Sequence, residues 1–209
     1  MIFNGYNSKA QVIRALRAKG FTFSTALGAK GFTFSTALGA TESNPKLVKG
    51  EKLGVLSKPH NLAPGKESGK YNMCSSASPG CLLACLNTAG NPIFLRGKLA
   101  ARIQRTHAFM TMRKAYIALI AFELEALESK AHKLGMIPAW RPNTTSDYPF
   151  QSVPLTVNGK PHNSLIHYFS GIEAYDYTKV TKKSLQWAKG LLPSNYHITF
   201  SKSEINDSC

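Results

Sequence analysis

The chain has 209 residues, of which 43% are apolar, and its 26 Lys and Arg against 11 Asp and Glu give a formal charge of +15. This composition excludes an intrinsically disordered protein, and its apolar residues suffice for the core of one folded domain. No apolar run approaches the roughly 20 residues of a membrane-spanning helix, so we expect no membrane partner. The positive charge favours contact with nucleic acid or another phosphate-bearing ligand, although a basic surface also serves solubility alone.

The first 41 residues form a basic extension that contains no Asp or Glu. It carries a tandem duplication, because residues 18–28 recur unchanged as residues 29–39. Two such short units do not build a repeat fold. Apolar spacing predicts a helix over Ser8–Lys19, and the two Phe-Thr-Phe-Ser-Thr copies alternate as the strands of a small β-hairpin do. We expect residues 42–209 to form a single α/β domain.

The next two segments are a connector and a long helix. Three prolines and few aromatic residues make Thr41–Lys70 an extended connector, with one short strand at Gly54–Ser57. Apolar residues on three- and four-residue steps predict a helix over Pro92–Gly135. Unbroken, this helix would measure roughly 60 Å, which is longer than a domain of this size is wide. We therefore expect a break near Gly97 or at Arg105–His107.

Between these segments lies a loop with three cysteines, Cys74, Cys81 and Cys85. Pro79-Gly80 forces a turn between the first two, so the three thiols can face one centre, as in a site built from a single loop. One interpretation is an iron–sulfur cluster on three thiolates, with one iron left open. Zinc is a second, although it normally takes four protein ligands, and His60 and His107 are not at zinc-finger spacing. Buried free thiols or a disulfide are the others.

After Gly135 three short apolar segments each end in hydroxyl groups and an acid: residues 136–147, 171–179 and 196–204. Helical patterns at Ser164–Phe169 and Thr181–Leu191 separate them. Strands that alternate with helices are typical of a parallel sheet with crossover helices. We expect an α/β fold with a partial (β/α) barrel-like parallel sheet. Its open edge would have to be covered by a homodimer or by the N-terminal hairpin.

Functional sites of such sheets gather at the carboxyl ends of the strands, where the cysteine loop also begins. This placement predicts a common site for the cysteines and for a substrate. Its predicted substrate-binding residues are Asn143, Thr145, Ser146, Asp147, Asp176, Lys179 and Ser201. Asp176 and Lys179 could manage a proton, pair with each other or, for Asp176, cap the next helix. His197, inside an apolar strand, is interpreted as a core histidine.

Two arginines one turn apart on the long helix, Arg102 and Arg105, lie in sequence just after the cysteine loop. Guanidinium groups bind phosphate or carboxylate by paired hydrogen bonds that lysine cannot make. We therefore include both arginines as candidate ligand contacts. Their alternative role is that of a solvated helix surface.

These residues also resemble a known family, the phage gene-88 proteins. The resemblance spans about residues 50–204 and is carried by the runs 62–65, 72–74, 78–81, 84–90, 101–106, 141–147, 175–179 and 195–197. It implies a phage-encoded protein of the bacterial cytoplasm and a shared fold, without a settled reaction. A looser similarity links the loop to radical S-adenosylmethionine enzymes, whose cysteines are spaced C-x3-C-x2-C where this chain has C-x6-C-x3-C. That similarity implies a 4Fe-4S cluster and S-adenosylmethionine as a cofactor.

Two functions follow as hypotheses. The first is a phage iron–sulfur protein that holds a 4Fe-4S cluster on three cysteines, with radical S-adenosylmethionine-like chemistry. The second is a basic nucleic-acid-binding module that uses the N-terminal arm and residues 96–114, with structural cysteines or zinc. Whether the chain is an enzyme stays open at this point.

Overall fold

The structure, a computed structural model, describes residues 1–21, 36–85 and 96–204. Its strands are β1 (Val55–Pro59), β2 (Ile137–Arg141), β3 (Leu155–Val157), β4 (Lys160–His162), β5 (Glu173–Thr178) and β6 (Tyr196–Phe200). Its α-helices are α1 (Lys9–Arg17), α2 (Pro45–Lys52), α3 (Pro79–Leu83), α4 (Arg96–Thr111), α5 (Arg113–Lys133), α6 (Leu165–Tyr168) and α7 (Thr181–Ala188). Short 3₁₀ turns lie at Thr41–Ser43 and Phe150–Ser152.

The main sheet has four parallel strands in the order β1-β2-β5-β6. β3 and β4 form a separate antiparallel hairpin. Because all four main strands run the same way, their carboxyl ends lie along one edge of the sheet. This confirms the predicted α/β fold with a parallel sheet, and β2, β5 and β6 fall where the three apolar segments predicted them. Within the described residues the sheet is open and does not close into a barrel.

The core is built around α5. Residues 115–121 of this helix are all buried, and the helix packs against α1, α4, β1 and β2. The N-terminal segment joins the same core: Phe3 is fully buried, with ring centroids 4.9 Å from Phe122 and 6.1 Å from Phe169. α1 begins where predicted, since Ser8 accepts a hydrogen bond from the Gln11 amide.

Two local predictions were wrong, and each error has a physical cause. Residues 45–52 form α2 rather than an extended segment, because Pro45 occupies the first turn, where its missing N–H costs no hydrogen bond. The long helix is interrupted at Met112, with φ −123° and ψ 43°, and not at Gly97 or residues 105–107. The helix continues through the latter stretch because the buried Thr106 hydroxyl is satisfied there, accepting from the Ala63 amide and donating to the Arg102 carbonyl. The predicted hairpin lies largely outside the described residues.

His60, directly after β1, fixes the start of the cysteine loop. Its Nδ1 donates to the Pro142 carbonyl at 3.0 Å, and its Nε2 accepts from the Tyr116 hydroxyl at 3.0 Å. Both ring nitrogens are therefore used by a neutral imidazole. Burial lowers the pKa of His60 to about 3.

Stability is therefore expected to fall as the pH drops below about 6.5. In that range the unfolded state binds a proton on His60 that the folded state does not, so the free energy of unfolding decreases by up to about 1.4 kcal/mol per pH unit. Urea denaturation between pH 7 and pH 5 measures this slope. His60→Gln should flatten it, whereas His132→Gln, at an exposed position, should leave it unchanged. An equal slope in wild type and His60→Gln would contradict the prediction.

Candidate functional site

A cleft of about 320 Å³ opens at the carboxyl ends of β2, β5 and β6. One wall is the cysteine loop, and the other is the polar residues that follow the strands. The loop contributes Pro64, Gly65, Cys74, Ala77, Cys81, Leu82, Ala84 and Cys85; the strand ends contribute Arg141, Asn143, Thr144, Thr145, Ser146, Asp147, Tyr177, Thr178, Lys179 and Ser201.

The cysteine loop is attached to the segment after β2 by hydrogen bonds that its own backbone carbonyls accept. Thr145 donates its hydroxyl to the Leu62 carbonyl at 2.7 Å, and the Asp147 amide donates to the Met73 carbonyl at 2.8 Å. Gly65 lies close to α3 and has a φ of +49°, and a Cβ at this position would lie 3.0 Å from a methyl of Leu82. A residue other than glycine would be strained at this φ and would displace the Leu82 side chain.

α3 carries Cys81 and is held at its beginning by two polar side chains. Ser78 accepts from the Cys81 amide at 3.1 Å and donates to a Glu204 carboxylate oxygen at 2.8 Å. The other oxygen of Glu204 accepts from the Gly80 amide at 2.7 Å. A Cβ at Gly80 would lie 2.7 Å from that carboxylate, so only glycine permits this approach. The segment after β6 thus fixes the position of the cysteine helix.

All three cysteines are half-buried free thiols that line the cleft. Burial raises the pKa of Cys74 and of Cys81, while the Lys179 ammonium acts in the opposite direction on Cys81. Both thiols are therefore protonated at neutral pH unless a metal draws off the proton. Within residues 1–21, 36–85 and 96–204, no three His, Cys, Asp or Glu side chains stand close enough to share one metal ion.

The opposite wall is a hydrogen-bonded network of strand-end residues. Ser146 donates to the side-chain oxygen of Asn143 at 2.8 Å. Asp147 accepts from the Thr178 hydroxyl at 2.8 Å and from the Lys179 amide at 2.9 Å. These bonds join the residues after β2 to those after β5. The structure thus brings Asn143, Thr145, Ser146, Asp147, Lys179 and Ser201 into the cleft together with the three cysteines.

Asp176 lies beneath the cleft rather than in it. Its side chain is fully buried and accepts hydrogen bonds from the Asn143 amide and side chain and from the Tyr196 hydroxyl, at 2.6 to 2.8 Å. Burial raises the pKa of Asp176, and the Lys183 ammonium and these donors oppose that effect. Donors fill both oxygens, so the geometry fits a carboxylate. In this position Asp176 supports the wall and is not part of the cleft lining, and among the described residues it pairs with Lys183 rather than with Lys179.

Lys183 of α7 completes the support. Its ammonium is buried, 3.6 Å from Asp147 and 3.8 Å from Asp176, and lies 5.3 Å from the centre of the Tyr196 ring. One lysine thus serves one carboxylate within β5 and another in the segment that follows β2.

The two candidate arginines of α4 stand apart from the cleft lining. Arg105 donates its Nε to the Thr36 carbonyl at 3.0 Å and so anchors the N-terminal segment. Arg102 is half-buried, and its guanidinium interacts electrostatically with Cys85. Farther along, Arg113 donates to the Tyr148 hydroxyl at 2.8 Å. Arg105 and Arg113 therefore make contacts within the protein. Nucleic-acid binding by residues 96–114 stays a prediction.

Comparison with known proteins now gives the family. A sequence model of the family described as Gene product 88 matches residues 33–209. The chain belongs to this phage protein family. The match confirms the resemblance drawn from the cysteine loop and extends it toward the N-terminus. No curated protein and no solved structure matches the chain. Among the described residues, none of the helices is long and apolar enough to cross a membrane.

Four residues of this Gene product 88 chain were not predicted as parts of the site. Arg141, Thr144 and Tyr177 line the cleft, and Glu204 holds α3. Arg141 lies just before the polar residues that were predicted after β2, and Tyr177 lies between the predicted Asp176 and Lys179. Their positions in the sequence could therefore have identified both residues. Nothing in the sequence links Glu204 to Gly80, because the two are far apart along the chain.

Loss of the buried ammonium should destabilise the protein strongly. Lys183→Met leaves two carboxylates without their cation, and breaking a buried ion pair in this way typically costs about 3–5 kcal/mol. Urea denaturation at pH 7 gives the change in the free energy of unfolding. Lys182→Met, at the adjacent exposed position, removes the same charge and should change stability by less than about 0.5 kcal/mol. Equal effects of the two substitutions would show that the buried network contributes nothing.

Proposed function

We propose that this protein binds an iron–sulfur cluster of the 4Fe-4S type through Cys74, Cys81 and Cys85. The observation that carries the proposal is that three free thiols from one loop line the same cleft as the carboxyl ends of three parallel strands. A cluster with three protein ligands keeps one iron open, and the cleft gives a ligand access to that position.

A four-iron cluster and a single zinc ion require different arrangements of their thiolates. Zinc holds sulfur at about 2.3 Å, so its thiolates stand roughly 3.8 Å from one another. In the described part of the chain, no three His, Cys, Asp or Glu side chains form a group that could hold one metal ion. In a four-iron cluster, each of the three thiolates binds a different iron atom. The thiols must therefore surround a cavity, and they need not contact one another.

Two cations lie near the cysteines. Burial raises the pKa of Cys81 and the Lys179 ammonium opposes that effect, while the Arg102 guanidinium is close enough to Cys85 for the two groups to interact electrostatically. A positive group next to a thiol stabilises its ionised form, which is the form that binds iron. Two of the three cysteines thus have a cation that offsets the charge they gain on ligation.

When bound, a four-iron cluster supplies one-electron transfer and an open iron position for a ligand. The chain itself shapes the space in front of that position. Asn143, Thr145 and Ser146 present polar groups, and Asp147 is held by Thr178 and Lys179 so that it cannot rotate freely. Leu82 and Ala77 give the loop side of the cleft an apolar surface. A ligand with both polar and apolar parts matches these walls.

The wider setting is part of the same proposal. The open parallel sheet corresponds to part of a (β/α) barrel, and the free edge at β6 is a surface on which a homodimer can form. Residues 39 and 41 already bond to the β1 edge, through the Pro59 and Ser57 carbonyls. A phage protein with this chemistry would work in the cytoplasm of the bacterial host.

Iron analysis tests the cluster directly. After anaerobic reconstitution, wild type should absorb near 400 nm and hold about four iron and four sulfide per chain. Each of the substitutions Cys74→Ala, Cys81→Ala and Cys85→Ala should remove most of the iron. Cys209→Ala is the matched control, since Cys209 is the remaining cysteine of the sequence, and it should keep the full amount. A colourless protein with one zinc per chain would overturn the proposal.

The finer part of the proposal is that S-adenosylmethionine binds the open iron. Adding it to the reduced, reconstituted protein should change the electron paramagnetic resonance spectrum of the cluster, because the ligand enters the iron coordination. Adenosine, which lacks the amino acid end, should leave the spectrum unchanged. An unaltered spectrum in protein with a full iron count would limit the function to cluster binding.

A further inference from the structure

Arg141, the last residue of β2, is a cation in the cleft that has no anionic partner among the residues that the structure describes. Its Nε is buried and makes no hydrogen bond, and none of the ion pairs in the described part of the chain includes it. Its guanidinium lies 5.1 Å from the centre of the Tyr177 ring. Tyr177 is 52% exposed, so this pair borders the open side of the cleft.

A second donor without a partner lies three residues farther on. The Thr144 hydroxyl is buried and has no hydrogen-bond partner among the described residues, although its backbone amide donates to the His60 carbonyl. Buried polar groups in folded proteins are bonded in the great majority of cases, and an orphaned one costs free energy. Two orphaned groups at one strand end, both in the lining of one cleft, indicate a ligand that bonds them.

The charge of the cleft identifies the kind of ligand. Lys179, the other cation of the lining, donates to the Ser201 hydroxyl and the Lys202 carbonyl and forms no ion pair within the described residues. The one carboxylate of the lining, Asp147, is offset by Lys183 from below. The cleft therefore presents a net positive charge to its contents.

We propose that Arg141 and Thr144 form an oxyanion subsite, which takes the carboxylate or phosphate group of a small-molecule ligand. A guanidinium binds such groups through two parallel hydrogen bonds, and the cation–π contact with the Tyr177 ring helps to position it. The proposal deepens the proposed function, on which it rests for the identity of the cleft as the ligand site, by naming the chemical class of that ligand.

Binding of two simple anions to the full-length protein as purified tests the subsite. Inorganic phosphate and succinate are titrated separately by calorimetry, and the one that binds tells which oxyanion the site prefers. Arg141→Gln should weaken binding at least about tenfold, and Arg141→Lys by less, since it keeps the charge without the paired donors. Thr144→Val should weaken binding a few-fold without lowering the melting temperature, because it removes an orphaned hydroxyl and keeps the shape.

The control is Lys160→Gln, an exposed position on β4 outside the cleft lining, which removes the same charge and should leave binding unchanged. If neither anion binds wild type, or if Arg141→Gln binds as wild type does, the subsite is overturned. Iron content is measured on the same variants. Normal iron with no anion binding would reject the subsite alone, and anion binding without iron would reject the cluster alone.

Discussion

The structure depends on one buried ionic arrangement, in which the Lys183 ammonium stands between Asp147 and Asp176. Removing three charges from water is costly, and only mutual attraction and added hydrogen bonds repay that cost. Asn143 and Tyr196 supply those bonds to Asp176. Because the two carboxylates belong to different strand ends, a single lysine fixes both in one geometry. The polar wall of the cleft is therefore rigid before any ligand arrives.

The cysteine loop takes its shape from this wall more than from contacts of its own. Bonds from Thr145 and Asp147 hold the loop near Leu62 and Met73, and Glu204 holds the beginning of α3. The sulfur positions are thus set by residues that follow β2 and β6. These hydrogen bonds are made by protein groups alone, so the shape of the loop is set by the chain itself.

In the sequence, each of the strands β2, β5 and β6 is an apolar segment followed by polar residues. This pattern predicted the parallel sheet. It also predicted that these polar ends and the cysteines share one cleft, since parallel strands end at one edge. Which of these polar residues are buried could not be predicted. Asp176 and Asp147 occupy similar positions in the sequence pattern, but the Asp176 side chain is buried beneath the wall of the cleft. His197 was interpreted as a core histidine, yet it alternates outward and bonds Glu173 at 2.7 Å. The side of a strand that faces the core depends on packing from elements distant in sequence.

The cations around the cleft divide according to what each already neutralises. Lys179 acts on Cys81, Arg102 interacts with Cys85, and Lys183 serves the carboxylates beneath the wall. Thiolates that bind iron would engage the first two still more strongly. Arg141, like Lys179, forms no ion pair among the described residues, and it lies in the cleft where the proposed cluster would leave an iron position open. An anionic ligand anchored there by its carboxylate or phosphate would place the rest of its atoms against the three cysteines, so binding at one end of the molecule would set the geometry at the other.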